Sequence, residues 1–259
     1  DKMEHITLAI HPNAAIISQD HRDIESTSMT AIGSTKKGVG EAAIQRIKRD
    51  PKNMNVAYAS EHPFIQKHVV GIEEYNQLLD SAKEILVEGA QGYSLSMYHG
   101  MYPYTTSRDV STNQVLADCC IPHNFGDIEV YGCFRTYPIR VANRYDENGN
   151  QVGWSGPTYP DSREIEWSDL GLEAELTTVT KLPRRIFTFS DMQYKMAVRQ
   201  CGIDHVFLNF VNYLDGKEQQ EEFIDHVNSL TDVSVDFLGF GPTVSDVMSE
   251  HFPYQEDIV

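Results

Sequence analysis

Residues 33–40 have the composition of a phosphate-binding loop. They read GSTKKGVG and lead into a segment with apolar residues at helical spacing. Glycines allow backbone N–H groups to approach a phosphate, the hydroxyls of Ser34 and Thr35 can donate hydrogen bonds, and a helix N-terminus attracts anions. Because no Lys-Ser or Lys-Thr pair follows Gly38, the segment is not a Walker A loop. An ordinary glycine-rich connection is the alternative interpretation.

Two polar segments further along the chain offer hydrogen-bonding groups for a base and for an anion. Residues 88–92 read EGAQG after an apolar stretch, and the Gln91 amide offers a base both a donor and an acceptor. A tight turn with a solvated glutamine is the alternative. Residues 102–109 read YPYTTSRD and combine hydroxyl groups with an arginine. This second segment is either another anion loop or a polar turn.

Residues 177–185 concentrate hydroxyl groups and cations in a chain that is otherwise acidic. They read TTVTKLPRR, and an arginine can hold a carboxylate or a phosphate through two parallel hydrogen bonds. The alternative is that these cations pair with neighbouring acidic side chains. The histidines show neither H-E-x-x-H nor H-x-H spacing, so we assign none of them to a metal.

The composition indicates a globular protein with a strong negative charge. The 259 residues include 38 Asp and Glu against 21 Lys and Arg, a formal net charge of -17. This charge disfavours binding to nucleic acid or to an anionic membrane, whereas a small nucleotide needs only a few local donors. No apolar run approaches the ~18 residues that span a bilayer. The four cysteines show no C-x-x-C spacing, which fits a reducing cytosol, and we expect a cytoplasmic protein.

Strand and helix patterns alternate along the chain and have to position these groups. Apolar runs predict strands at residues 6–10, 55–59, 84–88, 127–141, 205–210 and 233–238. Helical periodicity predicts helices at residues 39–49, 72–83, 191–200 and 219–229. This order predicts a single α/β domain over residues 1–259, with a mainly parallel central sheet flanked by helices. The turn with Gln91 is then expected at the carboxyl edge of that sheet, where such folds bind ligands.

The order of the polar segments resembles the adenylosuccinate synthetase family from end to end. GSTKKGVG is followed by EGAQG with YPYTTS, then by TTVT with RR, and finally by GFGPT. The resemblance implies the fold of that family, which is similar to P-loop NTPases, and a ligase that joins L-aspartate to C6 of a 6-oxopurine nucleotide. In the family a nucleoside triphosphate phosphorylates O6, and Mg²⁺ neutralises the transferring charge. ILVEGAQGYSLS and LTTVTKLPRRIFTFS look closest to the phage branch, which uses dGMP in making diaminopurine DNA.

The resemblance also implies contacts to the purine nucleotide. Thr35 and Thr106 are expected to hold its 5′-phosphate. Gln91 is expected to bind the purine near O6 and N1, and to act in catalysis by stabilising the 6-oxyanion. In the family, the residue that matches Arg49 reaches the phosphate of the neighbouring subunit, which implies a homodimer.

The aspartate and triphosphate sites follow from matches elsewhere in the sequence. The resemblance implies aspartate-binding groups at Lys37, Thr178, Val179, Thr180 and Arg184. Lys37 stands at a family arginine position and offers only a point charge. The resemblance places the base of the triphosphate at Asn212, Gly241 and Pro242.

Two departures from the family pattern bear on the choice of substrate. Residues 210–212 read FVN where the family has a guanine-reading Lys-x-Asp, and an asparagine amide, which both donates and accepts, suits adenine. The donor is therefore expected to be ATP or dATP rather than GTP. Leu182 stands where cellular members have an arginine that reaches the ribose hydroxyl, and its loss favours a deoxyribonucleotide.

About the first quarter of the family sequence has no counterpart in these residues. That quarter includes a glycine-rich phosphate loop with a catalytic side chain and a Mg²⁺ ligand, and the general-acid histidine. No metal ligand is therefore expected in this chain. Two alternatives to a dGMP ligase are an adenylosuccinate synthetase that uses IMP and GTP, and a purine nucleotide-binding fragment without catalysis.

Overall fold

The computed structural model describes residues 6–29, 31–32, 34–178 and 181–249. The chain packs as two compact units, one of residues 1–30 and 34–88 and one of residues 31–33 and 89–259. That the whole chain folds as a single domain stays a prediction. Within the described ranges, no helix has the length and apolar character needed to cross a membrane.

The first unit is mainly helical. Its helices are α1 (Gln19–Ser28), α2 (Val39–Lys48), α3 (Pro63–His68) and α4 (Ile72–Ser81). α1 packs against α2. α4 begins with Glu73 and Glu74 in its first turn, where negative charge complements the helix dipole. The helices predicted from residue 39 and from residue 72 are confirmed.

Three strands predicted for residues 6–10, 55–59 and 84–88 are wrong. Ile10 forms only an isolated bridge to Val69, and Ala57–Ala59 is a 3₁₀ turn. Residues 84–88 have no strand, and Leu86 is 95% exposed. A strand forms only where a neighbour takes up its backbone N–H and C=O groups, and an apolar run does not encode that neighbour. Gln91 consequently does not follow a strand at the carboxyl edge of a sheet.

The second unit is built around a four-stranded sheet. Its elements are α5 (Thr112–Asp118), β1 (Tyr131–Arg135), β2 (Ile139–Arg140), β3 (Arg144–Tyr145), β4 (Gln151–Gly153), β5 (Glu164–Ile165), β6 (Arg185–Phe187), α6 (Asp191–Cys201), β7 (His205–Asn209), α7 (Gly216–Ser229), β8 (Val235–Gly239) and β9 (Val247–Ser249). The sheet has the order β1-β7-β8-β9, in which β1, β7 and β8 are parallel and β9 is antiparallel. The predicted α/β class is confirmed.

Two smaller sheets complete the second unit. β2, β6 and β5 form an antiparallel sheet, and β3 and β4 form a hairpin. Residues 148–150 lie in this hairpin connection, in which Gly149 has a φ of +81°. Asp146 holds the turn because its side chain accepts the N–H groups of Asn148 at 2.9 Å and Asn150 at 2.8 Å.

The hydrophobic core of the second unit packs against its parallel strands, whose register aligns their carboxyl ends. Val206 and Leu208 of β7 are fully buried, and they pack in one cluster with Tyr194 of α6 and Val227 of α7. Ser190 caps α6 by accepting the Gln193 N–H at 3.0 Å. In the register that this core sets, Arg135 is opposite Asn209, which is opposite Gly239.

Candidate functional site

The amino end of α2 is capped by a buried carboxylate from α1. Glu25 is only 3% exposed and accepts the N–H groups of Gly38 at 2.6 Å, Gly40 at 2.7 Å and Glu41 at 3.2 Å. A carboxylate here satisfies N–H groups that have no partner within the helix and complements its dipole. The helix N-terminus is therefore not the phosphate cradle that the glycine-rich sequence suggests, because its N–H groups already bind Glu25.

Gly38 is needed for this packing between α1 and α2. Its φ is +84°, and a Cβ atom there would lie 2.8 Å from Ile17 Cγ2 and 2.9 Å from His21 Cβ. His21 is itself fully buried, and its Nδ1 accepts the Ser18 N–H at 2.9 Å. The alternative interpretation, that Gly38 belongs to a structural connection, accounts for its positive φ and its close contact with Ile17 and His21.

Thr35, Lys37 and Arg49 lie at opposite ends of α2. Thr35 and Lys37 are exposed and precede the helix. Arg49 is exposed and ends the helix, with a φ of +53° and its N–H directed to the carbonyls of Gln45 and Arg46 at 3.3 Å. The helix has 10 residues, which corresponds to about 15 Å. The first two residues and Arg49 are thus separated by its full length.

The loop with Thr106 pairs with residues 95–97, which follow the turn with Gln91 in the second unit. Gln91 is exposed and has a φ of +67°. The Thr106 N–H donates to the carbonyl of Leu95 at 2.7 Å, and the Met97 N–H donates to the carbonyl of Arg108 at 3.0 Å. The Tyr102–Pro103 peptide bond in this loop is cis. The structure therefore places the Thr106 loop against the residues that follow the Gln91 turn.

Asp109 anchors these two segments and was missed in the sequence analysis. Its carboxylate accepts the hydroxyl groups of Ser96 at 2.6 Å and Ser111 at 2.5 Å, and the Val110 N–H at 2.8 Å. Burial alone would raise the pKa of Asp109, but the hydrogen bonds from Ser111 and Ser96 outweigh it and lower the pKa below the ordinary value. Asp109 is therefore ionised at neutral pH. No spacing signal marks it, because its partners come from both sides of the loop.

Two arginines of the small antiparallel sheet bind the backbone at residues 155–156, and one of them, Arg140, also binds the Thr106 loop. Arg140 donates from Nη2 to the carbonyl of Tyr104 at 3.0 Å and from Nε to the carbonyl of Ser155 at 2.8 Å. Arg185 donates from Nη1 to the carbonyl of Gly156 at 2.7 Å. Burial, and then the charge of Arg185, lower the pKa of Arg140. These guanidinium groups are used within the structure of the protein.

The loop assigned to aspartate is closed at its base by a short backbone ladder. Leu176 and Pro183 form an antiparallel bridge, and the Thr177 N–H donates to the carbonyl of Leu182 at 2.8 Å. Thr178 is exposed in this loop. Val179 and Thr180 lie outside the described residues.

The two arginines that end this segment pair with acidic side chains. Arg185 donates from Nε to Glu164 Oε1 at 2.7 Å, and Arg184 Nε lies 3.9 Å from Glu175 Oε2. The alternative of pairing with neighbouring acids thus applies to both arginines. Arg184 stays a predicted aspartate ligand, held in place by Glu175.

The residues assigned to the triphosphate base gather at the carboxyl ends of β7 and β8. Phe210 follows β7 with a φ of +63°, and Asn212 is the exposed middle residue of the 3₁₀ turn Val211–Tyr213. Gly241 and Pro242 follow the end of β8 and are exposed. Because β7 and β8 are parallel neighbours, these residues share one edge of the sheet, where open α/β folds bind ligands.

The site residues fall into groups that belong to the two units. The first unit holds Thr35, Lys37 and Arg49, and the second holds Gln91, Thr106, Thr178, Arg184, Asn212, Gly241 and Pro242. Among the residues that the structure describes, no group of three or more His, Cys, Asp or Glu side chains could hold a metal ion.

Comparison with known proteins gives consistent matches. Residues 50–221 match the family model described as adenylosuccinate synthetase. The N6-succino-2-amino-2′-deoxyadenylate synthase of Salmonella phage PMBT28 is 45% identical over 267 aligned residues, which cover 95% of this chain and 72% of the relative. A protein of the same name from Cyanophage S-2L is 46% identical over 256 residues, which cover 98% of this chain and 69% of the relative.

A solved structure gives a corresponding match in three dimensions. The chain superposes with a TM-score of 0.86 on Cyanophage S-2L succinoaminodeoxyadenylate synthetase bound to dGMP and to dATP as an energy donor. The two are 45% identical, and the match covers 95% of this chain and 69% of the other. The similarity thus extends over nearly all of the chain, in sequence and in structure.

Proposed function

Because this chain belongs to the adenylosuccinate synthetase family, we propose that it is a carbon–nitrogen ligase that condenses L-aspartate with dGMP at C6, with ATP or dATP as the energy donor. The product is 2-amino-2′-deoxy-N6-succinyladenylate, a precursor of diaminopurine DNA made in the host cytoplasm. The observation that carries the proposal is 45% and 46% identity, over 95% and 98% of this chain, to two phage proteins named for this reaction. The solved relative that holds dGMP and dATP supports the choice of both nucleotides.

The proposed reaction has two steps. In the first, the γ-phosphoryl group moves to O6 of dGMP as the purine loses the proton from N1, and ADP or dADP leaves. In the second, the aspartate amine attacks C6, loses a proton, and inorganic phosphate leaves with O6. The Gln91 amide donates to the negative charge that develops on O6. When bound, Mg²⁺ neutralises charge on the triphosphate.

Two side chains of the second unit support the choice of a deoxyribonucleotide and of an adenine donor. Leu182, which is 38% exposed at the base of the aspartate loop, offers no hydrogen bond to a ribose hydroxyl. Asn212, at the carboxyl edge of the sheet, offers both a donor and an acceptor. Adenine needs this combination, since its N1 accepts and its N6 amino group donates.

The surface of α2 supports the homodimer. Ile44 is 43% exposed and Ile47 is 75% exposed on this helix, and Arg49 follows at its carboxyl end. Apolar side chains beside a cation are typical of a subunit interface. Sedimentation of the full-length protein should give twice the mass of one chain, and Ile47→Asp should weaken the association. A monomer at micromolar concentration would contradict the homodimer.

Incubation of the full-length protein with dGMP, L-aspartate, ATP and Mg²⁺ tests the proposed reaction. We expect a succinylated nucleotide by mass spectrometry and one inorganic phosphate per product. Product from IMP and GTP, with none from dGMP, would instead assign the chain to the cellular branch of the family. Uptake of dGMP in calorimetry without release of phosphate would identify a nucleotide-binding protein without catalysis.

Gln91→Ala tests the catalytic role of the amide. Loss of a donor to a developing oxyanion lowers kcat by about 100-fold or more. Gln151→Ala is the matched control, because Gln151 is an exposed glutamine of β4 in the same unit. If both variants turn over at the wild-type rate, Gln91 does not stabilise O6.

A further inference from the structure

The carboxylate of Glu175 binds groups from three separate segments of the second unit. It accepts hydrogen bonds from both Nη atoms of Arg135, one of them at 3.4 Å, and from the Tyr213 hydroxyl at 3.1 Å. Arg184 Nε lies 3.9 Å from its Oε2. The Glu175 side chain is 26% exposed, so solvent screens these contacts less than it screens surface ion pairs. One carboxylate thus joins β1, the aspartate loop and the turn after β7.

Arg184 connects Glu175 to the loop assigned to aspartate. In addition to the ion pair, the Arg184 N–H donates to the carbonyl of Glu175 at 2.7 Å. The Arg184 carbonyl accepts the indole N–H of the buried Trp167 at 2.7 Å. The main chain of Arg184 is therefore fixed, and its side chain is directed by the carboxylate.

Tyr213 and Arg135 connect the same carboxylate to the turn that carries Asn212. Tyr213 is the residue after Asn212, and burial followed by the negative charge of Glu175 raises the pKa of its phenol. The Tyr213 hydroxyl therefore stays protonated and donates a hydrogen bond to the Glu175 carboxylate. Arg135 Cζ lies 3.5 Å from the centroid of the Phe210 ring, a cation–π contact with the residue that precedes the turn.

We propose that Glu175 is a positioning residue that couples the aspartate site to the base site of the energy donor. The proposal rests on the proposed function, which assigns the 177–184 segment to aspartate and the 210–213 segment to the donor base. A nucleotide that orders the turn through Tyr213 and Phe210 also orders Arg184, because all three depend on one carboxylate. By linkage, each substrate then strengthens the binding of the other by the same factor.

Glu175→Gln in the full-length protein tests the coupling. The variant keeps the shape of the side chain and one acceptor oxygen, but it removes the charge that holds the two arginines. In the wild type we expect the KM for aspartate to fall as the concentration of dATP rises. In Glu175→Gln we expect this dependence to disappear and the KM for aspartate at saturating dATP to rise by about tenfold, on the scale of a lost charged hydrogen bond.

Two further variants separate coupling from folding. Glu164→Gln is the matched control, because Glu164 also pairs with an arginine, Arg185, but belongs to β5 of the small antiparallel sheet. It should keep the wild-type dependence of the aspartate KM on dATP. Tyr213→Phe removes one hydroxyl group and keeps the ring, so it should weaken the coupling in a protein with the wild-type unfolding temperature.

The outcomes distinguish the coupling from the reaction itself. Persistence of the dATP dependence in Glu175→Gln, or its equal loss in Glu164→Gln, would overturn the role of Glu175 while the ligase activity stands. If Glu175→Gln fails to fold, persistence of the dATP dependence in Tyr213→Phe would overturn the role of Glu175. A wild-type protein that makes no succinylated nucleotide would overturn both the proposed function and this role.

Discussion

Replacement of Glu25 by glutamine should unfold the first unit more easily and show that its carboxylate, not a ligand, completes α2. In the structure, Glu25 Oε1 accepts the N–H groups of Gly40 and Glu41, and Oε2 accepts that of Gly38 at 2.6 Å. A glutamine has only one acceptor oxygen. In either orientation its amino group faces at least one of these N–H groups, so that two donors are placed against each other.

The expected loss follows from these contacts. One hydrogen bond to a charged group contributes about 1.5–3 kcal/mol to stability. Removal of the charge from the amino end of a helix costs up to about 2 kcal/mol more where the site is partly buried. The two effects overlap, so we expect Glu25→Gln to lower the free energy of unfolding by about 2–4 kcal/mol, a large part of the stability of an ordinary domain.

Urea unfolding followed by far-ultraviolet circular dichroism measures this change. Tryptophan fluorescence is unsuitable, because both tryptophans, Trp154 and Trp167, lie in the second unit. Asp23→Asn is the matched control: Asp23 is an exposed carboxylate of α1 that accepts one hydrogen bond, from Gln19 at 2.8 Å. Surface changes of this kind stay within about 0.5 kcal/mol. Equal stability of the two variants would refute the capping role of Glu25.

Two further predictions concern the donor site and the response to alkali. Asn212→Asp removes the amide donor. The KM for ATP should therefore rise by at least about tenfold, and activity with GTP should appear. An unchanged ratio of kcat/KM for ATP and GTP would show that Asn212 does not contact the base. Burial, with smaller effects from Tyr159, Cys201 and Asp109, raises the pKa of Tyr93 from 10.0 to about 12. The protonated phenol is thus favoured in the folded state, so its contribution is complete below pH 10 and is lost as the pH rises toward 12. Solvent screening limits this contribution to about 1–2 kcal/mol. Tyr93→Phe should remove this contribution, so that the free energy of unfolding measured by urea titration falls less between pH 10 and pH 12 than in the wild type. An unchanged pH slope would show that another group causes the loss of stability.

Local sequence patterns identified the elements whose partners are close in sequence or dictated by the core. α6 follows the capping residue Ser190 and ends at Gly202, which has a φ of +61°. In β7, apolar residues alternate, and Val206 and Leu208 are fully buried. The apolar run at residues 84–88 looks similar in sequence, yet no strand pairs with it within the described residues. The difference lies in the pairing partner, which apolar periodicity does not contain.

The roles of Asn212, Gln91 and Thr106 come from the family resemblance and stay predictions. The sequence pattern indicates only the local setting of these residues: Asn212 follows an apolar strand, and the segments of Gln91 and Thr106 carry glycine or proline. The hydrogen bond from the Thr106 N–H to the Leu95 carbonyl spans only 11 residues of the chain.

The acidic residues show why the rest of the site could not be read from the sequence. Glu25 acts on Gly38, 13 residues away, and Glu175 acts on Tyr213, 38 residues away. Among 38 acidic residues in a chain of net charge -17, a composition argument treats each as a solvated surface group. Burial reverses that interpretation, because a carboxylate withdrawn from water is retained only where N–H groups or arginines compensate it. Glu25, which is buried, and Glu175, which is partly buried, therefore each hold neighbouring segments together, and only the folded structure identifies them.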